Sequence, residues 1–274
     1  MPEGDTTWRT ARALHAALAG KTVVAFASSL PAVTLASRRL GLVGRTLEAV
    51  EARGKHLLVR FAGGAMLHTH QGMRGSWRLH RRGVPARWPG SARAVIETAD
   101  VVAVCTLSPV VEVLSPSQAA THPALARLGP DLLAPGFDPE GARRRLRARG
   151  DLEVAAALLD QTALAGIGNV YKSEVLFLCG VSPFTRVRDL DDATIDRLVA
   201  RAGEMLRRNL GPGGPRRIPG LPPGRLWVYR RSGQPCRKCG TRIERAVQGE
   251  QARSTYFCPL CQRSAGSAGS AREA

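Results

Sequence analysis

The chain has 274 residues, 44% hydrophobic and 23% charged, enough for about two packed domains and too apolar for a disordered chain. Forty Lys/Arg against 22 Asp/Glu give a net charge of +18, which points to a polyanionic partner. Its apolar runs are shorter than the ~18 residues of a membrane span or are broken by Pro109 or Asp160, and MPEGDTTWRTAR is no signal peptide, so a cytoplasmic setting is expected.

In chain order, residues 5–19 read as a helix. Asp5 suits the N-cap, Trp8, Ala11, Leu14 and Leu18 share a face, and Gly20 stops it. Short β-type runs follow over 21–27, 45–52, 56–61, 65–70, 94–98 and 101–107, with Gly63-Gly64 as a hairpin turn. Repeated short strands predict a sandwich or barrel. After a loop over 129–136 the pattern turns helical: Val154, Ala155, Leu158 and Leu159 mark one helix, 170–179 a second and about 191–210 a third. The Arg-rich run 143–149 reads as a solvated helix face. Residues 211–224, GPGGPRRIPGLPPG, form a Gly/Pro linker or mobile loop, and 226–263 is too small for a core of its own. The SAGSAGSAREA ending reads as a disordered tail.

The expected architecture is therefore α+β and multidomain. Residues 1–128 would be a β-sandwich with a leading helix, 129–224 a helical domain with its Gly/Pro linker, 225–263 a zinc ribbon and 264–274 the tail. Cys236-x2-Cys239 and Cys258-x2-Cys261 are the strongest local signal. Two thiolate knuckles complete a tetrahedral Zn2+ site, and four cysteines leave no open position, so the zinc is structural. The residues between them predict a hairpin turning at Gln248-Gly249-Glu250 and carrying Arg242, Arg245 and Arg253. Residues 201–263 alone hold 14 Lys/Arg and 3 Asp/Glu.

Other candidates carry a plain reading beside the functional one. Gly166-Ile167-Gly168-Asn169 opens a helix, as a phosphate cradle or as an ordinary turn with Asn169 as N-cap. Pro2 follows Met1 and permits its removal. That would leave a secondary amine beside Glu3, with an α-amine pKa of about 7.7–8 against about 10.4 for lysine. Lys55 opens a strand and is one of only four lysines against 36 arginines, which hints at a need for a compact, deprotonatable amine; a surface lysine is the alternative. His68 and His70 share a strand face, but two ligands make a poor metal set, so hydrogen-bonded or surface histidines are expected. Cys105 and Cys179 read as buried thiols.

Four separated motifs in order resemble the formamidopyrimidine-DNA glycosylase and endonuclease VIII family, over about residues 2–263. They are Pro2-Glu3-Gly4, Arg53-Gly54-Lys55-His56-Leu57-Leu58, Gly166-Ile167-Gly168-Asn169-Val170-Tyr171 and the Arg253–Gln262 segment with its second cysteine pair. The resemblance implies a β-sandwich, a helix–two-turn–helix domain and a zinc ribbon acting on damaged double-stranded DNA as a monomer. It implies base excision: Pro2 as nucleophile, Glu3 as general acid, Lys55 in acid/base steps and phosphate pairing, and Arg253 on phosphates and in the second elimination. It further implies phosphate contacts from Asn169 and Arg127, and a wedge at Met73 within Gln71-Gly72-Met73-Arg74-Gly75 that fills the stack as the lesion is flipped out.

The chain also departs from the family pattern. Asp5-Thr6 stands where many members have Pro-Glu, Leu107-Ser108-Pro109-Val110-Val111 lacks the Arg and Phe of the purine-repair branch, and the 211–224 segment is short. The last two features imply the endonuclease VIII branch and oxidised pyrimidines, with a purine-type glycosylase as the alternative. A non-catalytic binder of damaged DNA on the same scaffold, or a zinc-ribbon module for RNA or protein, are the competing readings. The second of these leaves Pro2-Glu3 and Lys55 unexplained.

Overall fold

A computed structural model describes residues 2–83, 90–211 and 213–263. The expectations for Met1, for Pro212 within the linker and for the tail over 264–274 lie outside the described residues. The chain divides into two compact units, one up to Arg127 and one from Leu128.

In the first unit the order is α1 (Gly4–Leu18), β1 (Ala25–Ala27), α2 (Pro31–Arg39), β2 (Leu47–Arg53), β3 (His56–Phe61), β4 (Met66–His70), β5 (Ser76–Arg81), β6 (Ala92–Glu97), β7 (Val101–Thr106), β8 (Val110–Leu114), α3 (Pro116–Ala120) and α4 (Pro123–Ala126). Two four-stranded antiparallel sheets form, ordered β1-β6-β7-β5 and β2-β3-β4-β8. Period-2 alternation turns Leu57, Val59, Phe61 and Leu67 of one sheet into the same core as Trp77, Ala94, Ile96, Ala103 and Cys105 of the other. Helix α1 adds Ala11, Leu14 and Leu18 to that core, and it packs against β2 and β3.

Several expectations change. Helix α1 starts at Gly4 with Glu3 as N-cap, so Asp5 lies buried in the first turn and is not the cap. Of the strand expected over 21–27 only Ala25–Ala27 pairs fully, with Thr22 bridging to Thr46. Helix α2 and strands β5 and β8 were not expected. Polar and charged residues interrupt α2 and β5, and Pro109 sits directly before β8. Gly63 and Gly64, at φ +81° and +79°, make the turn between β3 and β4 as the sequence suggests.

The second unit holds α5 (Pro139–Arg147), α6 (Val154–Ala157), α7 (Asn169–Leu178), α8 (Asp192–Arg207), β9 (Glu244–Gln248) and β10 (Arg253–Phe257). Its main core is built from Leu146, Val154, Leu158, Ile167, Tyr171, Leu176, Leu198 and Leu206 among others. Arg143, Arg147 and Arg149 are not simply solvated, because they pair with Asp196, Asp192 and Asp160. The described part of the 211–224 segment is anchored. Arg217 donates its backbone N–H to Asn209 at 2.7 Å, Gly224 donates to the Arg216 carbonyl at 2.7 Å, and Ile218 is buried. A proline-rich stretch has few backbone donors, so one side-chain amide and one apolar anchor fix it. Cys105 is buried, and its burial raises the thiol to about 11; Cys179 is only half-buried.

Candidate active site and nucleic-acid interface

Glu3 caps α1 in extended backbone conformation and is fully buried, while Pro2 is half-buried. The Glu3 carbonyl accepts the Thr7 N–H at 2.9 Å and the Thr7 hydroxyl at 3.2 Å, which fixes the residue at the helix start. Thr6 donates its hydroxyl to Asp5 at 3.3 Å, so this pair is bonded internally where the family pattern has Pro-Glu.

Lys55 does not open a strand. It sits in the two-residue turn between β2 and β3, since Arg53 pairs with His56, and Gly54 has φ +57°. A tight hairpin turn needs a left-handed first residue, which explains a glycine directly before the lysine. The turn joins the two strands on which α1 lies.

Gln71 to Gly75 form the next turn, closed by the Gly75 N–H donating to the Gln71 carbonyl at 2.8 Å. A Cβ at Gly75 would lie 2.3 Å from the Gln71 carbonyl oxygen, so only glycine closes this turn. The closure leaves Met73 66% exposed at the tip, an apolar side chain held out in water. Gln71 is buried, with its Oε1 without a hydrogen-bond partner. Arg127 is exposed at the C-cap of α4.

Cross-strand register also assembles histidines that the sequence left apart. His56 faces His70 across β3 and β4, and His68 faces Glu112 across β4 and β8. His68 Nδ1 is 2.9 Å from Glu112 Oε2, His122 Nε2 is 3.0 Å from the same oxygen, and His56 Nδ1 is 2.8 Å from His68 Nε2. Burial, reinforced by His68, His70, His122 and Lys55, lowers the His56 pKa to about 3. Burial also lowers His68, against the pull of Glu112, and lowers His70 together with Lys55 and His68.

In the second unit Gly168, not Asn169, is the N-cap of α7. Asn169 instead donates Nδ2 to the Ser254 carbonyl at 2.7 Å, directly beside Arg253, and its Oδ1 is buried without a partner. Lys172, nearly fully buried, donates to the same carbonyl at 3.2 Å and to the Thr255 hydroxyl at 2.7 Å. Glu174 accepts three backbone N–H groups, from Trp227 at 2.8 Å, Val228 at 3.0 Å and Tyr229 at 2.9 Å. One helix thus fixes both the hairpin and the chain entering it. The sequence marks Lys172 and Glu174 only as two charged residues inside an apolar helical run, and neither is among the candidates it offers.

The hairpin turns at Gly249 to Ala252, one residue later than expected, because Gln248 is still paired with Arg253. Gln248 is buried and donates to Glu153 at 2.7 Å and to the Pro183 carbonyl at 3.2 Å. Arg253 is exposed at the start of β10, with Gln251 Oε1 accepting from it at 3.2 and 3.3 Å. The four cysteine sulfurs converge, with separations of 3.4 Å (Cys239–Cys258), 3.4 Å (Cys239–Cys261) and 3.9 Å (Cys236–Cys261). A tetrahedral ion with Zn–S bonds of ~2.3 Å sets sulfurs ~3.8 Å apart, so the four residues fit zinc.

Three stretches match known domain families: the formamidopyrimidine-DNA glycosylase N-terminal domain over 1–107, its H2TH domain over 128–216, and the zinc finger found in FPG and IleRS over 233–263. A probable endonuclease 8 from Streptomyces coelicolor is 43% identical over 96% of this chain and 94% of its own length. The chain belongs to the formamidopyrimidine-DNA glycosylase and endonuclease VIII family. An apurinic or apyrimidinic site lyase of this family from Mycolicibacterium smegmatis is 42% identical, covering 96% of this chain and 99% of its own length. Among solved members, Lactococcus lactis formamidopyrimidine-DNA glycosylase bound to DNA with an abasic site aligns with a TM-score of 0.81 and 26% identity, over 96% of this chain and all of that one. The same enzyme with DNA containing an oxidised pyrimidine gives 0.80 and 26%, with the same coverage.

Proposed function

We propose that this family member is a bifunctional DNA glycosylase and abasic-site lyase of base excision repair, acting through the N-terminal amine of Pro2. The carrying observation is the pairing of Pro2 with a fully buried Glu3 at the start of α1. Removal of Met1 frees a secondary amine, and the positive end of a 15-residue helix favours its uncharged, nucleophilic form. The amine attacks C1′ of the damaged nucleotide as the N-glycosidic bond breaks, and the base departs with the proton given up by the amine nitrogen. Glu3 gives its proton to the ring oxygen as the sugar opens, and an iminium forms between Pro2 and C1′. The cationic iminium acidifies C2′–H, whose loss expels the 3′ phosphate, and a second elimination expels the 5′ phosphate. Lys55 in its tight turn serves the proton transfers and pairs with phosphate.

The other residues position the strand. Exposed Met73 fills the gap left by the flipped nucleotide. Arg127, Arg253 and Asn169 hold phosphates, with Gln71 buried beneath the wedge turn. One structural Zn2+ on Cys236, Cys239, Cys258 and Cys261 keeps the Arg253 hairpin folded. The partner is damaged duplex DNA, the working form is a monomer and the setting is the cytoplasm. Oxidised pyrimidines are the favoured lesions, supported by the 107–111 loop without Arg or Phe and by the endonuclease 8 names of two relatives at 43% and 40% identity.

Glu3→Gln tests the assignment. Base removal should fall by about 10²–10⁴-fold while cleavage of a preformed abasic site falls far less, because acid help matters most when the ring opens around a poor leaving group and an abasic hemiacetal opens without one. Equal losses on the two substrates would make Glu3 a structural residue.

A further inference from the structure

The face of the β2-β3-β4-β8 sheet turned away from the sandwich core carries a cluster that base excision leaves unused. We propose that His68 Nδ1, His122 Nε2 and Glu112 Oε2 form a second metal site, for a divalent transition ion such as Zn2+ or Co2+, separate from the four-cysteine centre. The three donor atoms lie within 4.8 Å of one another, with Glu112 Oε2 at 2.9 and 3.0 Å from the two imidazole nitrogens. Ligands about 2.1 Å from one ion stand ~3.0–3.4 Å apart, so small adjustments seat an ion. Two imidazoles and one carboxylate select zinc-like ions over magnesium or calcium, which favour all-oxygen sites.

The surroundings supply what such a site needs beyond its ligands. His68 binds through Nδ1 only in the tautomer with its proton on Nε2, and His56 Nδ1 lies 2.8 Å away to accept that hydrogen bond. The ring of His68 is buried, which fixes its orientation, while the Glu112 side chain is 43% exposed and gives an ion its way in. Among the described residues His122 Nδ1 is buried without a hydrogen-bond partner and Glu112 is the ring's one polar anchor, so Nε2 is the end that meets an ion. His56 directly follows Lys55, so an ion here adds positive charge beside the turn that carries the lysine.

The test uses the full chain with its zinc ribbon loaded. After equilibrium dialysis against Co2+, metal analysis should find a second equivalent, with a cobalt spectrum lacking thiolate-to-metal charge transfer. Glu112→Gln combined with His122→Gln should lose that equivalent and keep the ribbon zinc, whose retention and an unchanged far-ultraviolet spectrum report folding. His56→Phe, which leaves the three ligands in place, should weaken binding by about 10–100-fold. A native chain that binds one metal only, or a second equivalent with thiolate charge transfer, overturns the site. So does a second equivalent that survives in the double variant.

Discussion

Replacing Glu174 with alanine should destabilise the ribbon more than any other single change on α7. Its two carboxylate oxygens accept three backbone donors, Trp227 on Oε2 and Val228 and Tyr229 on Oε1, and the side chain is fully out of water. Leaving a buried donor unsatisfied costs about 1–3 kcal/mol; that applies in full at buried Val228 and in part at half-buried Trp227 and Tyr229, so the loss is on the order of 2–6 kcal/mol. That is a large share of a stability of about 5–15 kcal/mol. The effect is directed, because Val228 belongs to the small core of Phe177, Cys236, Ile243 and Cys258, and Trp227 stacks on Phe177 at 5.3 Å. Glu174→Gln keeps Oε1 for two donors and turns an amide toward the Trp227 N–H, so about 1–3 kcal/mol should be lost. Denaturant unfolding gives the order native, Gln, Ala, and hydrogen exchange at residues 227–229 should speed up in the same order. An alanine variant within about 1 kcal/mol of native, with slow exchange at those amides, would refute the reasoning.

Two further outcomes follow from charge. His56 is neutral in the folded chain down to about pH 3 but takes a proton near 6.5 when unfolded, so its stabilising contribution is whole above 6.5 and declines as pH falls towards 3. The loss approaches ~1.4 kcal/mol per pH unit, and His56→Gln should flatten the acid limb of a stability–pH curve; an unaltered limb contradicts the assignment. Arg253→Ala should weaken binding to every DNA alike and flatten the salt slope by about 0.9, whereas Asn169→Ala should lose affinity with little change in slope. Salt titrations on one abasic-analogue duplex distinguish them, and an unchanged slope for Arg253→Ala removes it from the phosphate contacts.

Much of this was legible in the residues, and the failures share a cause. Strands such as His56–Phe61 and Val101–Thr106, the α7 and α8 helices and the paired cysteines follow from period and spacing, which are local. Helix α2 and strands β5 and β8 were missed because their burial depends on partners far along the chain. The Lys55 turn was misplaced by one residue because only the Arg53–His56 pairing defines where the strands end. Likewise, the Asn169 contact to Ser254, the three donors on Glu174 and the His56–His68–Glu112 chain join residues 12 to 85 positions apart. No periodicity encodes such contacts. The 211–224 segment reads as free by composition and is held by Asn209 and Ile218, two residues among many.

Borohydride trapping with peptide mapping tests the central claim most directly. Native protein mixed with DNA containing an abasic site should yield a covalent adduct, with intact mass showing loss of Met1 and the reduced sugar carried on the Pro2 nitrogen. An adduct mapped to Lys55, or one formed equally well by protein that retains Met1, would contradict the account.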